Sequence, residues 1–592
     1  MTRRSSDPAN SSADFFRDVE TIPDLLTRRA RLTPGAVAFV HGGPPSWTTL
    51  SWETFDRRAS VLAQAFAQGG MRPGARVGIL APTSVQWEIA QMAALRCGAI
   101  VVGLDPYYPD ALLNELVQEI GVVVLIVQDE TTRARLTQIT QSRLERIVDI
   151  DWVASTGEAS DAGALSPSYA RAEAAAVITL TSGSTGRPQS VVYSHAQVVH
   201  AVRCIVEAYP VIGAGSRLVA WLPLANLFQR MIDLCAIATG ATTHVVSDPR
   251  QVMQVLPTAR PHVFIAVPLF CERVRAGIEA RLTREPVVAG LVNRALIFAK
   301  EVRRTSIDRK PIPHARRLAF RVIDRLILAR LRSAFGGQLR FIVTGSAPMP
   351  RPLLDWFFAL GIPVLEAYGA SENVVPIAAN RLEDARAGTV GRAIGDNEVR
   401  IASNGEVQVR GFGVFDPALA ENARRRGAIT ADGFLATGDL GSIDGDGFLT
   451  LRGRASEIFK NPQGRWISLP LLEAALREVP HVAHAAAIRL RDDRLGGVVT
   501  LRNDEPVAGQ ATPDRSQQSF RIRVEEALSQ LPPANRAVAI LVVKGTFSPA
   551  SGEITTNLKL RRHAIASRYD TKLEALVAGR DAASSAVAFG FE

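Results

Sequence analysis

Short runs of consecutive apolar residues recur along the first ~400 residues, separated by stretches with helical apolar spacing. Val77-Gly-Ile-Leu-Ala81, Ile100-Val-Val-Gly-Leu104 and Val122-Val-Val-Leu-Ile-Val127 are three such runs, and Leu50 to Gly69 is a helical stretch that stops at Gly69-Gly70. The same texture returns at Ala176-Val-Ile-Thr-Leu-Thr181, Val263-Phe-Ile-Ala-Val267, Leu339-Arg-Phe-Ile-Val-Thr344 and Pro363-Val-Leu-Glu366. Strands alternating with helices predict a parallel sheet with crossover helices. After ~400 the pattern becomes β-rich, at Glu398-Val-Arg-Ile401 and Glu406-Val-Gln-Val-Arg410, and a turn-rich segment runs from Asp439 to Gly453. The predicted class is α/β: a large N-terminal domain, 15–452, of doubly wound α/β subdomains plus a β-rich subdomain, then a small α+β C-terminal domain, 453–575. Residues 1–14 and 576–592 read as polar tails, and no repeat of 20–50 residues is visible.

Composition narrows the class of protein. The chain has 592 residues, 47% apolar and 21% charged, a soluble balance that excludes a mainly disordered or collagenous chain. Its net charge of +10 permits anionic substrates or an anionic membrane surface without demanding either. Only six residues are lysine, Lys300, Lys310, Lys460, Lys544, Lys559 and Lys572, so the other 62 of 68 basic residues are arginine. With no lysine before position 300, a Walker-type Gly-Lys-Ser/Thr loop cannot lie in the first half. Arginines are spread over the whole chain and no aromatic-interleaved basic patch occurs, which argues against nucleic-acid binding.

Residues 300–335 differ from their surroundings. Eleven basic residues crowd this stretch, and Phe320, Val322, Ile323, Leu326, Ile327, Leu328 and Leu331 give it an apolar stripe. This is a basic amphipathic helical insert, suited either to a solvated face or to peripheral contact with an anionic membrane. No run approaches ~18 apolar residues. The four cysteines, Cys97, Cys204, Cys235 and Cys271, form no C-x-x-C pair. That spacing argues against a zinc–thiolate site and a disulfide framework, and favours buried free thiols in a reducing cytoplasm.

The segment Leu180-Thr181-Ser182-Gly183-Ser184-Thr185-Gly186-Arg187-Pro188 follows a predicted strand. Two glycines among hydroxyl residues offer many N–H and O–H donors with little side-chain bulk, which suits a polyphosphate. The string resembles the phosphate loop of the adenylate-forming superfamily, which includes acyl-CoA synthetases, peptide-synthetase adenylation domains and luciferases. Five further strings match that family in order: Thr344-Gly-Ser-Ala-Pro348, Tyr368-Gly-Ala-Ser-Glu372, Gly433-Phe-Leu-Ala-Thr-Gly-Asp439, Gly453-Arg454 and Asn557-Leu-Lys-Leu-Arg-Arg562. The resemblance is nearest to the long-chain fatty acyl-CoA synthetases, through the Leu339–Met349 string, the basic insert and the Asn557–Arg562 ending.

The resemblance implies a chemistry and a cast. A carboxylate would attack the α-phosphate of ATP to give acyl-AMP, and a thiol, normally that of CoA, would then displace AMP. Glu372 would hold Mg²⁺, a hard cation that prefers carboxylate oxygen. Thr181, Ser182, Gly183, Ser184, Thr185 and Gly186 would cradle phosphates, and Ser371 would donate to the α-phosphate. Tyr368 and Gly369 would flank adenine on one side, with Gly345, Ser346 and Ala347 on the other. Asp439 would accept the ribose hydroxyls, a task suited to an acceptor-only group, and Arg454 would reach the ribose or phosphate edge. Lys559 would come from a mobile C-terminal domain to meet the carboxylate and α-phosphate. Asn226 would border the acyl entrance and Gly464 the pantetheine arm. The substrate implied is a fatty or other apolar carboxylic acid; a carrier-protein thiol or an amine is an alternative acceptor, and a non-catalytic binder a further one. The implied location is cytoplasmic or peripheral at the inner membrane surface.

Three stretches depart from the family pattern. The loop normally continues Pro-Lys-Gly but reads Pro188-Gln189-Ser190, which loses one cation near the terminal phosphates. The string Leu222-Pro-Leu-Ala-Asn226-Leu-Phe-Gln229-Arg230 has neutral amides where His and Glu are usual, which places the acyl entrance in question. Ser456 stands at the hinge position, where Asp or Lys is common.

Overall fold

The computed structural model describes residues 12–137, 144–158, 169–182, 188–282, 286–345, 347–417, 419, 428–461, 465–491, 493–502, 513–548, 551–554, 560–579 and 587–591. A six-stranded sheet has the order Arg146–Asp149, Val124–Val127, Arg76–Leu80, Ile100–Gly103, Ala175–Ser182, Pro188–Ser194. Its strands are parallel except for the last pair. Val124–Val127 is buried at every position, as a strand covered by helices on both faces must be. A second sheet sets Val263–Ala266, Phe341–Thr344 and Val364–Tyr368 in parallel and ends in two short antiparallel strands. A third combines Thr48–Ser51, Val37–His41, Thr242–Val245 and Arg217–Ala220. The β-rich part is an antiparallel meander of Glu398–Ile401, Glu406–Arg410, Leu435–Ile443 and Leu449–Arg454.

Helix ends follow local chemistry. Ser194 caps His195–Ala208 by accepting from the Gln197 N–H at 3.2 Å, while the Gln197 side chain accepts from the Ser194 N–H at 3.1 Å. This reciprocal box satisfies two otherwise orphan donors. Asn226 caps Leu227–Thr239 by accepting from the Phe228 N–H at 3.1 Å.

One large apolar cluster joins residues from Phe15 to Leu449, whereas the chain from Ile467 on packs around clusters of its own. That second part is a four-stranded sheet, Val482–Arg489, Leu495–Leu501, Ala537–Val543 and Ala588–Phe591, with the helices Leu469–Arg477, Pro513–Ser529 and Arg562–Ala578. The expected tail 576–592 needs correcting. The last helix runs to Ala578, and Ala588–Phe591 pairs in parallel with Ala537–Val543. The alternating Ala-Phe-Gly-Phe ending supplies a strand that the alanine-rich composition before it obscures, and Phe589 and Phe591 pack on the adjoining cluster. At the N-terminal end, Ser12–Phe16 is already helical, and Phe15 and Phe16 are buried.

The basic insert consists of Pro286–Ile307, His314–Ile323, a wider π turn at Asp324–Leu328, and Ala329–Ser333. Lys300 pairs with Asp355 at 2.8 Å, and Arg332 grips both oxygens of Asp324 at 2.8 Å each. Part of the cationic excess therefore faces inward. Leu318, Val322 and Leu326 follow one another at helical spacing and stay half-exposed or more. Arg317, Arg321, Arg325 and Arg330 are exposed beside them, and none of the exposed residues between 311 and 333 is acidic.

Candidate active site

Strands of all three mixed or parallel sheets end at one cavity of about 280 Å³. Gly103, Asp105, Tyr107 and Tyr108 follow Ile100–Gly103; Pro223 to Phe228 follow Arg217–Ala220; Gly345 follows Phe341–Thr344; Tyr368 to Ser371 end Val364–Tyr368. Ligand sites gather at the carboxyl ends of parallel strands because the loops there diverge and leave a crevice.

The cavity has two characters. Thr181, Gly345, Tyr368, Gly369, Ser371 and Asn373 bring backbone amides and hydroxyls to the lining. Ile205, Val206, Leu218, Met231, Val263, Val343 and Ile394 make the rest of it apolar. Asn226 lines the cavity, while its side-chain oxygen is used to cap a helix.

Asp439 is buried beside this cavity. Its Oδ2 accepts from the Tyr368 hydroxyl at 2.7 Å, and its Oδ1 lies 3.3 Å from Arg454 Nε. Cross-strand pairing brings Asp439 opposite Arg454 in the meander. Burial, then the neighbouring Asp439 carboxylate, push the Tyr368 phenol well above its usual range, so Tyr368 acts as a fixed donor. A carboxylate has about four lone-pair sites, so Asp439 keeps acceptor capacity for a ligand's hydroxyls. Glu372, half-buried, follows Ser371, and its carbonyl accepts from the Phe415 N–H at 2.9 Å. Ser371 is tied down in turn, since its carbonyl accepts from the Tyr193 hydroxyl at 2.5 Å.

Ala347 is exposed and is not among the cavity-lining residues, unlike its expected place beside adenine. Ser182 ends the strand Ala175–Ser182. Gly183, Ser184, Thr185, Gly186, Ser346, Gly464 and Lys559 lie outside the described residues. Gln189 is the register partner of Thr181 on antiparallel strands, so the two side chains share the sheet face that Thr181 presents to the cavity.

Gln229 differs from expectation. It is fully buried, accepts from the backbone N–H groups of Trp221 and Leu222 at 3.4 and 3.3 Å, and donates to Asp233 Oδ1 at 3.0 Å. Gln229 belongs to a buried network with Glu88, Gln91, Arg230 and Asp233 rather than to the acyl entrance. One helical turn decides this: Asn226 sits at the helix start by the cavity, and Gln229 turns away from it.

Sequence reasoning missed two features. Ile554 and Arg561, from the part beyond 453, line the cavity. Tyr108 does so from the other side, with its phenol pushed up to about 12 by burial and Asp105, against the opposing pull of Arg561. Arg561 had a signal, since it lies two residues after Lys559 in the quoted string. Tyr108 had only its place after a parallel strand.

A cavity at the carboxyl ends of strands combines backbone donors and hydroxyls with apolar side chains, beside the buried carboxylate of Asp439. The chain belongs to the AMP-binding enzyme family, whose match covers residues 26–415. It is 27% identical over 563 residues to long-chain-fatty-acid–CoA ligase FadD15 of Mycobacterium bovis, covering 90% of this chain and 92% of that one. With the human long-chain-fatty-acid–CoA ligase ACSBG2 it shares 22% identity over 617 residues, covering 94% and 92%. The fold is similar to that of the A-PCP didomain of a carboxylic acid reductase from Segniliparus rugosus in complex with AMP. That likeness has a TM-score of 0.75 at 17% identity, covering 96% of this chain and 83% of that one.

Proposed function

We propose that this chain activates a fatty or other apolar carboxylic acid with ATP, through acyl-AMP, and passes the acyl group to the thiol of CoA. The observation that carries the proposal is one cavity whose lining joins backbone and hydroxyl donors, with Asp439 held beside it by Tyr368, to apolar side chains such as Ile205 and Ile394. ATP supplies the leaving group that a carboxylate lacks. The residues present fit it: Asp439 retains acceptor sites for ribose, Tyr368 and Gly369 give a flat wall for a base, and Thr181 and Ser371 stand at the phosphate side. Glu372 would hold Mg²⁺, which when bound offsets phosphate charge. The acid's tail would lie along the apolar lining, which excludes water from the attack.

The unit from 453 on is proposed as a mobile domain that delivers Lys559. Gly453, at φ 130°, occupies a backbone region that side chains rarely adopt, which suits a joint. The chain on either side of 555–559 is anchored at the cavity. Ile554 forms a β-bridge with Leu560, the Arg561 N–H donates to the Glu553 carbonyl at 2.7 Å, and Arg562 binds Glu473 at 2.8 and 2.6 Å.

The test is pyrophosphate release against a panel of acids, with mass spectrometry of the product formed with CoA, a carrier protein or an amine. Acyl-CoA from a fatty acid is the expected product. Acyl transfer only to carrier or amine overturns the acceptor, and no ATP–pyrophosphate exchange with any acid overturns the enzyme.

Gln189→Lys is expected to strengthen ATP binding. A cation on the cavity face of this strand pair would add a charged hydrogen bond of ~1.5–3 kcal/mol, roughly a ten- to hundredfold lower ATP KM where KM reports binding. Acid selectivity should stay unchanged. An unchanged or weaker ATP affinity would show that the loop no longer cradles phosphate.

The exposed Leu318–Val322–Leu326 stripe with its arginines supports peripheral contact with an anionic bilayer. No helix among the described residues is long and apolar enough to cross a membrane. Co-sedimentation with anionic vesicles is expected at low salt and should fade as screening shortens electrostatic reach. Leu318→Glu combined with Leu326→Glu should abolish it. Absence of binding at low salt refutes the contact.

A further inference from the structure

His200 and Cys204 stand one turn apart on the helix His195–Ala208, and Asp396 reaches them from the turn between Arg392–Ala393 and Glu398–Ile401. His200 Nε2 lies 2.7 Å from Asp396 Oδ1 and 3.4 Å from Cys204 Sγ, and all three ligand atoms fall within 4.8 Å of one another. The same ring nitrogen addresses both partners. In a nucleophile–histidine–carboxylate relay, the two would occupy opposite nitrogens of the ring. Convergence of nitrogen, sulfur and oxygen on one point is instead the arrangement of ligands around a shared cation.

We propose that His200, Cys204 and Asp396 form a binding site for a zinc-class divalent cation, Zn²⁺ or Co²⁺, with solvent as the fourth ligand. The donor set selects the metal. A thiolate and an imidazole favour Zn²⁺ and its neighbours over Mg²⁺, which prefers oxygen. Bond lengths of ~2.0–2.1 Å to nitrogen and oxygen put tetrahedral ligand atoms roughly 3.3 Å apart. The carboxylate of Asp396, 41% exposed, therefore needs to open by only about half an ångström. Its exposure, and that of His200, also leave the fourth position open to water.

The surroundings hold the ligands in place. Asp396 Oδ2 accepts from the Phe412 N–H at 2.7 Å, and the Phe412 ring packs edge-on against His200 with centroids 5.2 Å apart. Gln197, on the same helix, donates to the carbonyls of Phe412 and Val414 at 3.2 and 2.8 Å. Partners of this kind orient ligands and are part of a working metal site. Gly395, at φ 62°, lies against the sulfur: a Cβ there would overlap Cys204 Sγ, so only glycine leaves the thiol its space.

The position gives the ion something to do. Ile205, next to Cys204, and Ile394, two residues before Asp396, both belong to the apolar lining of the cavity. A bound cation would clip the helix to the turn and stiffen that wall. The metal site itself stands independently of the ligase reading, so the failure of either leaves the other intact.

The experiment is titration of the chelator-stripped full-length protein with Co²⁺ in excess Mg²⁺. One equivalent should bind, with a near-ultraviolet thiolate-to-cobalt charge-transfer band that Zn²⁺ abolishes by displacement. Cys204→Ser should remove the band. His200→Ala and Asp396→Asn should weaken binding by at least ~10–100-fold, the loss that even supporting residues of metal sites cause. Asp396 lies on an exposed turn, so its amide variant keeps the fold. Cys97→Ser should leave the titration unchanged. Absence of the charge-transfer band, its survival in Cys204→Ser, or wild-type affinity in Asp396→Asn would overturn the proposal.

Discussion

Lys559→Ala is expected to lower the rate of adenylation by roughly 10²–10³ or more, the scale of losing one charged donor at a transition state, while ATP binding changes little. The physical reason is timing. As the acid's carboxylate closes on the α-phosphate, two anions approach, and a cation between them stabilises that arrangement more than it stabilises bound ATP. Lysine is scarce in this chain, six residues against 62 arginines, so retention of one in the matching string points to a compact point charge that arginine does not replace. The measurement pairs ATP–pyrophosphate exchange with calorimetric ATP binding. Wild-type exchange in Lys559→Ala would show that the lysine is assigned wrongly. Arg561→Ala is the companion, because Arg561 lines the cavity and brings a second cation from the same segment, whereas Arg562 is paired with Glu473.

Arg230→Met is expected to destabilise the N-terminal part by ~3–5 kcal/mol at pH 8, the cost of stripping the partner from a buried charge. Arg230 is buried, donates through Nε to Gln91 Oε1 at 2.8 Å and lies over the Trp87 ring at 5.1 Å. Burial pushes Glu88 up to about 7, against the pull of Arg230, and pushes Asp233 well above the usual carboxylate range. Among the described residues neither Glu88 Oε1 nor Asp233 Oδ2, both buried, has a donor, and a proton held by Asp233 toward Glu88 satisfies both. Between the ordinary value of 4.5 and about 7, the folded chain holds a proton on Glu88 that the unfolded chain releases. Stability from this group is therefore complete below pH 4.5 and declines as pH rises through about 7. Arg230→Met should thus be mild at pH 5.5, where Glu88 is neutral, and severe at pH 8. Unfolding midpoints at the two pH values check this, and equal losses would refute it. Adding Glu88→Gln should recover most of the loss at pH 8.

Much of the molecule was legible in the sequence for a local reason. Strands that end up buried on both faces must be apolar at every position, so Val124–Val127 and Val263–Ala266 announce themselves. The order of the motifs carried Thr181, Gly345, Tyr368, Gly369 and Ser371 to one cavity, because each lies in or just after a strand. Asp439 and Arg454 were legible separately, and their pairing follows from the register of two adjacent strands. Composition misled at the C-terminus, where alanines hid the strand Ala588–Phe591.

Sequence by itself determined the elements and their alternation, because periodicity acts within a few residues. Only the tertiary structure decided which distant groups meet. Gln229 reads as an entrance residue until helix phase turns it onto Asp233. Arg561 acquires Tyr108 as a neighbour only where the C-terminal part approaches the cavity. Cysteine spacing argued against a metal site, yet His200 and Cys204, one turn apart, find Asp396 across the fold. Such contacts arise from how whole elements pack, and packing depends on the summed burial of many side chains rather than on the identity of the few that meet.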